Sequence, residues 1–154
     1  MTPPAELIHA NAVAVRTTGP EGGWRGALLT GPSGAGKSDL SLRLIQAGWR
    51  LVADDYVRVW GVGGRLYARP PETLAGRMEV RGLGVMGAPH LEMARMVLVA
   101  RCVGHPPERL PEPAFETFAG VRLPQVEIEA LQPAAPARLA AALRSLGQAG
   151  PLAY

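Results

Sequence analysis

A chain of 154 residues with 47% hydrophobic and 19% charged residues has the size and balance of one globular domain. No stretch approaches the roughly 18 apolar residues of a membrane span, and the N-terminus lacks the regions of a secretory signal. The net charge of +3 comes from scattered arginines, which argues against a nucleic-acid surface. No membrane partner is expected. The single cysteine, Cys102, cannot form an internal disulfide, so a reducing, cytoplasmic location is expected.

Apolar runs separated by glycine and proline predict a chain built mostly of strands. In chain order, strands are expected at residues 8–15, 26–30, 50–55, 56–70, 78–87, 96–103 and 121–131. The segment 56–70 is predicted to be a hairpin turning at Gly63 and Gly64, and the four-proline stretch 104–120 an irregular loop. Because Pro124 cannot donate to a ladder, the strand 121–131 is expected at a sheet edge.

Two helices are predicted, over residues 37–47 and 135–146, because apolar residues recur there at helical spacing. Gly48 supplies a left-handed stop for the first helix. A glycine loop joins a strand to this helix, and strands outnumber helices, which is typical of an α/β domain with a mixed β-sheet. We therefore predict one domain over residues 1–154, frayed over 147–154.

The glycine loop 31-GPSGAGKS-38 matches G-x-x-x-x-G-K-[ST] at every fixed position, which disfavours a plain glycine turn. Glycines let backbone N–H groups point at phosphate oxygens, and the following helix N-terminus adds partial positive charge. Lys37 is expected to reach the β- and γ-phosphates, and Ser38 to place its hydroxyl on Mg²⁺. The predicted nucleotide-binding residues are Gly31, Pro32, Ser33, Gly34, Ala35, Gly36, Lys37 and Ser38.

Two carboxylates, Asp54 and Asp55, follow the apolar residues 51–53. In phosphate-loop folds an acid at such a strand end faces the metal. Side chains alternate along a strand, so the two carboxylates are expected to start out on opposite sides. One would bind or orient Mg²⁺, and the other would accept a proton from an incoming hydroxyl. The alternative is a solvated strand end with a turn-forming aspartate.

With these pieces in place, the chain resembles the catalytic domain of the HPr kinase/phosphorylase family, bacterial enzymes that act on a serine of the phosphocarrier protein HPr. The resemblance covers roughly residues 7–88. Its segment 79-EVRGLGV-85 is much rarer in other proteins than the phosphate loop. The other features that carry it are His9 in 8-IHANAVAV-15, the segment 28-LLTGPSGAGKSDLSLRLIQAGWRL-51 and the segment 52-VADDYV-57.

The resemblance implies a P-loop kinase domain related to phosphoenolpyruvate carboxykinase, with ATP and Mg²⁺ as cofactors and a seryl protein substrate. It also implies a homohexamer, and attack of inorganic phosphate on phosphoserine as a possible reverse reaction. Full-length members carry an additional N-terminal domain, so the chain is expected to be the short form that lacks it.

The resemblance also implies roles for individual residues. Asp54 would be the acid/base partner of the serine hydroxyl, Asp55 its metal-side neighbour, and His9 would lie close to Asp54 and tune it. Glu79 would lie near the metal, and Arg81 would neutralise charge on the transferred phosphate.

Two other functions fit the glycine loop. One is a small-molecule kinase, since the letters GPSGAGKS also suit proteins similar to guanylate kinase. The other is a non-catalytic regulator that senses ATP or phosphate and binds a partner. The segment 79–85 has no counterpart in the first alternative.

Overall fold

The computed structural model describes residues 4–18, 23–72 and 74–146 of the chain. Within these ranges the helices are α1 (Lys37–Gln46) and α2 (Ala135–Ser145). The strands, in chain order, are β1 (Glu6–His9), β2 (Asn11–Thr17), β3 (Gly23–Thr30), β4 (Arg50–Ala53), β5 (Tyr56–Val62), β6 (Arg65–Arg69), β7 (Arg77–Val80), β8 (Gly84–Gly87), β9 (Ala94–Val103), β10 (Ala114–Phe118) and β11 (Val121–Glu129). Neither of the described helices is long and apolar enough to cross a membrane.

Nine of the described strands form one mixed sheet. Strands β1, β5, β6, β9, β3, β2 and β4 lie side by side in that order, with β11 beside β9 and β10 beside β11. Strands β3, β9 and β11 run parallel, and the other pairs are antiparallel. The carboxyl ends of the three parallel strands therefore meet at one edge of the sheet, and the glycine loop starts at this edge.

Each face of the sheet has its own core because side chains alternate along every strand. We call the face covered by the two helices the helix face; there Leu40 and Leu44 of α1 and Leu139 of α2 pack against Leu29 and Leu98. The other face encloses a second core that includes Leu28, Val57, Val59, Leu66 and Val99. Burying one leucine contributes about 1.5–3 kcal/mol, so the packing of these leucines holds the two helices against this face of β3 and β9.

Both predicted helices are confirmed, each ending one residue before its predicted end. The predicted hairpin at 56–70 is also confirmed as β5 and β6, with the turn at Gly63 and Gly64. The fraying predicted for 147–154 lies outside the described residues. The α/β fold with a mixed sheet is confirmed.

Three strand predictions and one loop prediction are wrong. The run 8–15 is two strands, because β1 pairs with β5 while β2 pairs with β3 and β4. The segment 78–87 is a separate hairpin of β7 and β8 rather than one strand. The loop 104–120 contains β10, and β11 lies between β9 and β10 rather than at an edge. Pro124 is tolerated inside the sheet because the ladder with β9 begins one residue later, at Gln125.

Candidate active site

The glycine loop links the end of β3 to the start of α1, as its motif predicts. Gly31 has a φ of 124°, and a Cβ there would lie 2.5 Å from the carbonyl oxygen of Cys102 on β9. Gly36 has a φ of 99°, and a Cβ there would lie 2.8 Å from the Leu131 side chain. Only glycine fits both positions, since the left-handed backbone and the close approach each disfavour a side chain.

Lys37 is folded back over this loop. Its ammonium group donates to the carbonyl oxygens of Gly31 at 2.6 Å and Pro32 at 3.0 Å. The residue is only 7% exposed, which is unusual for a lysine. The ammonium group is therefore held inside the loop, where the motif predicts that it meets phosphate.

Asn11, at the start of β2, is fully buried and joins the elements of the site. Its Nδ2 donates to Asp54 Oδ1 at 3.0 Å and to Ser41 Oγ at 2.9 Å, and lies 3.3 Å from Ser38 Oγ. Its Oδ1 accepts a hydrogen bond from the Asp55 N–H at 2.9 Å. One amide thus connects β2, α1 and the acidic pair, and a buried amide with these partners has its hydrogen-bonding capacity satisfied.

Asp54 is partly buried, and we call this carboxylate and its partners the buried half of the site. Its Oδ1 accepts a hydrogen bond from the Ser38 hydroxyl at 3.0 Å, and its Oδ2 accepts one from the Glu79 N–H at 3.0 Å. The second contact ties the hairpin of β7 and β8 to the carboxylate. Asp54 is therefore oriented from both of its oxygens.

Asp55 lies in the exposed half, with 61% of its side chain accessible. Its Oδ1 is 2.8 Å from His9 Nε2, and the His9 ring lies 5.3 Å from the ring of Tyr56, centroid to centroid. Asp55 has a φ of 68°, a left-handed conformation that costs a non-glycine residue on the order of 1 kcal/mol. The expectation that His9 lies against Asp54 is wrong: β4 ends at Ala53, and the left-handed turn at Asp55 brings this second carboxylate to β1.

The two carboxylates thus do face different partners. Sequence reasoning missed Asn11 and Ser41. A signal was available for Asn11, since it is the one amide within the apolar run 8–15. Ser41 falls one helical turn after Lys37, and its hydroxyl donates to the Lys37 carbonyl oxygen at 2.9 Å.

Glu79 and Arg81 lie on the β7–β8 hairpin, and both are exposed. Glu79 reaches the site through its backbone N–H, and Arg81 lies in the turn that follows β7. Over residues 4–18, 23–72 and 74–146, no ion pair joins Glu79 to Arg81. The hairpin therefore stands beside Asp54 with two charged side chains exposed to solvent.

Mg²⁺ fits the donors present. In the described part of the chain, no three His, Cys, Asp or Glu side chains form a metal-binding group by themselves. Mg²⁺ typically takes one or two protein oxygens and completes its shell with phosphate oxygens and water. The Ser38 hydroxyl and the Asp54 carboxylate, 3.0 Å apart, are oxygen donors of this kind.

Cys102 lies on β9 beneath the loop and is fully buried. Burial raises the pKa of its thiol to about 11, although the positive charges of Lys37 and Arg43 act in the opposite direction. A thiol with this pKa is protonated at neutral pH and is not a nucleophile of the site.

The fold and the loop define a phosphate-loop protein with two aspartates beside its lysine and serine. Residues 6–97 match the family model described as HPr Serine kinase C-terminal domain. The chain therefore belongs to this family, which confirms the resemblance drawn from the four sequence segments.

Two relatives and one solved structure extend this result. The HPr kinase/phosphorylase of Clostridium tetani is 44% identical over 79 residues, 51% of this chain and 26% of that protein. That of Clostridium beijerinckii is 49% identical over 61 residues, 40% of this chain and 20% of that protein. The chain thus matches about a quarter or less of the length of these relatives. The Hpr(Ser) kinase/phosphatase of Coxiella burnetii has the same fold, with a TM-score of 0.73 at 24% identity over 91% of this chain and 95% of that one.

Proposed function

We propose that the chain transfers the γ-phosphoryl group of ATP to a serine hydroxyl of an HPr-like phosphocarrier protein. The observation that carries the proposal is the contrast between Asp54, hydrogen-bonded to Ser38, and Asp55, exposed beside His9. Membership in the HPr Serine kinase C-terminal domain family supports the protein acceptor.

Asp54 and Ser38 are the proposed metal side of the site. Bound Mg²⁺ would neutralise charge on the β- and γ-phosphate oxygens. Lys37, held inside its own loop, would exchange its carbonyl contacts for phosphate oxygens. Glu79 is a further proposed metal-side residue, because its backbone is already bonded to Asp54.

Asp55 and His9 are the proposed acid/base side, which exchanges the roles that the family resemblance suggested for the two aspartates. Asp55 would accept the proton of the serine hydroxyl as the serine oxygen bonds to the γ-phosphorus and the bond to the ADP oxygen breaks. His9, 2.8 Å away, would hold the carboxylate toward the acceptor. Arg81 would stabilise charge on the transferred group.

The openness of this half of the site favours a macromolecular acceptor. Asp55, Glu79 and Arg81 are all exposed. Small-molecule sites are concave and enclose most of their ligand, whereas a serine on a protein surface needs an accessible base. This observation disfavours the small-molecule kinase. We further propose the reverse reaction, in which inorganic phosphate bonds to the phosphorus of phosphoserine, the bond to the serine oxygen breaks, Asp55 returns the proton to that oxygen, and pyrophosphate leaves. We also propose a homohexamer, which light scattering would detect.

The test is phosphoryl transfer from radiolabelled ATP, with Mg²⁺, to purified HPr. Transfer to a serine is expected for the wild type and should be abolished by Lys37→Ala. Asp39→Asn is the matched control for Asp55→Asn, because Asp39 is the only aspartate besides Asp54 and Asp55 and its carboxylate pairs with Arg43 rather than with a residue of the site. ATP binding without transfer to HPr would instead support the non-catalytic regulator. Transfer to GMP would support the small-molecule kinase.

The loop can be tested separately. Lys37 is the only lysine in the chain. An amine-selective acyl-phosphate derivative of ATP should therefore label this one side chain, and excess ATP should protect it. Labelling that ATP does not block would contradict the nucleotide site whatever the acceptor is.

A further inference from the structure

Strand β9 changes its partner halfway along its length. With β3 on one side, it pairs on the other side first with β6, through residues 94–96, and then with β11, through residues 99–103. At the change, β9 bulges against β3: Gly26 pairs with Met96 and Ala27 with Leu98, which leaves Val97 as the extra residue. A fork between two strands beside a bulge leaves space at the sheet surface, and bulges often redirect side chains at functional sites.

Four arginines from four strands meet at this fork. Along each strand, alternation with the neighbouring core residues puts them on the helix face. Arg25 lies an even number of residues before Ala27 and Leu29 on β3, so its side chain is on the same face of the sheet. Arg122 is related in the same way to Val126 on β11. Ala27, Leu29 and Val126 all pack in the core under the helices. Arg65 precedes Leu66, which packs into the opposite core.

The arginines line a cavity of about 240 Å³. It lies past the end of α2, at the edge of the sheet where β3, β9 and β11 begin, and thus opposite the glycine loop. No Asp or Glu lines it within the described part of the chain. Its lining residues are Arg25, Gly64, Arg65, Leu66, Arg95, Met96, Val97, Arg122, Leu123, Pro124 and Leu146.

We propose that this cavity binds a small oxyanion with more than one negative charge, of the phosphate or phosphate-ester class. Guanidinium groups bind tetrahedral oxyanions through paired N–H donors, and their charge persists at every physiological pH. The volume is below the 300–1,000 Å³ typical of drug-sized ligands, which fits one or two phosphoryl groups.

Arg65 and Arg122 are the proposed main ligands. The Arg122 guanidinium lies 4.1 Å from the Phe115 ring centroid, a cation–π contact that holds it in place on β11. Arg65 starts β6 directly after the turn at Gly63 and Gly64 and is exposed. Arg25 and Arg95 also line the cavity and have interactions of their own.

The site is tested by titrating the whole chain with inorganic pyrophosphate in a calorimeter. Lys37→Ala is used as the background because the motif predicts a second phosphate site in the glycine loop. This variant should keep one pyrophosphate site, and adding Arg65→Gln and Arg122→Gln should weaken that site by about tenfold or more. The matched control adds Arg16→Gln and Arg58→Gln, which remove the same charge from exposed arginines outside the cavity.

Three outcomes decide the proposal. A site that survives Lys37→Ala and the control but weakens with the cavity pair supports it. Absence of any site in Lys37→Ala overturns it, as does equal binding by the cavity and control variants. If thermal unfolding shows that the variant with both Arg65→Gln and Arg122→Gln is not folded, Arg65→Gln alone, at an exposed position, gives the same test. Competition by methyl phosphate would assign the site to esters, and competition by inorganic phosphate alone to the free ion.

Discussion

The two halves of the candidate active site differ sharply although their central residues are adjacent in the chain. Asp54 is hydrogen-bonded on both oxygens, next to a fully buried asparagine. Asp55 is 61% exposed and meets a single histidine. One half is fixed by a network within the protein, and the other is open to solvent.

This difference is the basis of the two roles proposed for the aspartates. Electrostatic catalysis requires groups that are oriented before the reaction, which suits the metal side. A base for a protein hydroxyl must instead be reachable, which suits Asp55. The left-handed backbone at Asp55 is energetically unfavourable. It is stabilised by the hydrogen bond that the Asp55 N–H donates to Asn11 Oδ1. The five predictions below test this contrast.

Asp55→Asn is expected to have the largest effect. Removing a general base typically costs about 10²–10⁴-fold in kcat, so we expect roughly 10³-fold, with the KM for ATP unchanged. Steady-state transfer to HPr at saturating ATP measures both. An Asp55→Asn enzyme with near wild-type kcat, together with an inactive Asp54→Asn enzyme, would return the base to Asp54.

Asp54→Asn is expected to act mainly through the metal. Loss of an oriented carboxylate beside the Ser38 hydroxyl should raise the Mg²⁺ concentration needed for half-maximal rate by about 10–100-fold. Titration of the rate with Mg²⁺ at fixed ATP detects this shift. A lower kcat with an unchanged Mg²⁺ requirement would break the proposed contrast between the two aspartates.

Asn11→Ala removes the link between the halves. It leaves the partly buried Asp54 carboxylate and the Asp55 N–H with fewer partners, which should lower the free energy of unfolding by about 1–3 kcal/mol. Urea unfolding measures the change. Thr17→Ala is a control at the far end of β2, where the lost bond is a single contact to the Gly23 carbonyl. Equal losses in both variants would show that Asn11 has no special structural role.

His9→Gln should have a smaller effect than either aspartate substitution. Glutamine retains an N–H donor for the Asp55 carboxylate, whereas His9→Ala does not. We expect a loss in kcat of about tenfold for His9→Ala and partial recovery in His9→Gln. Equal losses in the two variants would contradict a positioning role through this hydrogen bond.

The parts of the site that are contiguous in sequence could be predicted, and the parts that depend on strand pairing could not. The glycine loop is local, because eight consecutive residues and their flanking strand and helix set its shape. The contact of His9 with Asp55 depends on the pairing of β1 with β5 and on one left-handed residue. Neither leaves a periodic signal.

The sequence does contain a signal for the internal position of β11, which was predicted to be an edge strand. Its apolar residues fall at Val121 and Leu123, and then at Val126 and Ile128, so the alternation changes phase near Pro124. The first pair packs into the core away from the helices, and the second into the core beneath them. A strand that contributes to both cores is internal to the fold, which a single alternating pattern does not reveal.

The last prediction, for Cys102→Ala, concerns only the pH dependence of stability and tests whether water reaches the interior beneath the glycine loop. Burial raises the thiol pKa from its ordinary value of 9.0 to about 11 in the folded chain. The unfolded chain therefore loses its proton first as pH rises, so the stability from this group is complete below pH 9 and is lost toward pH 11. The loss should reach on the order of 2 kcal/mol. Urea unfolding from pH 8 to pH 11 should show a fall in wild-type stability that is reduced by this amount in Cys102→Ala. Parallel pH curves for the two proteins would mean that water reaches the thiol beneath the loop, and that this interior is as open as the half around Asp55.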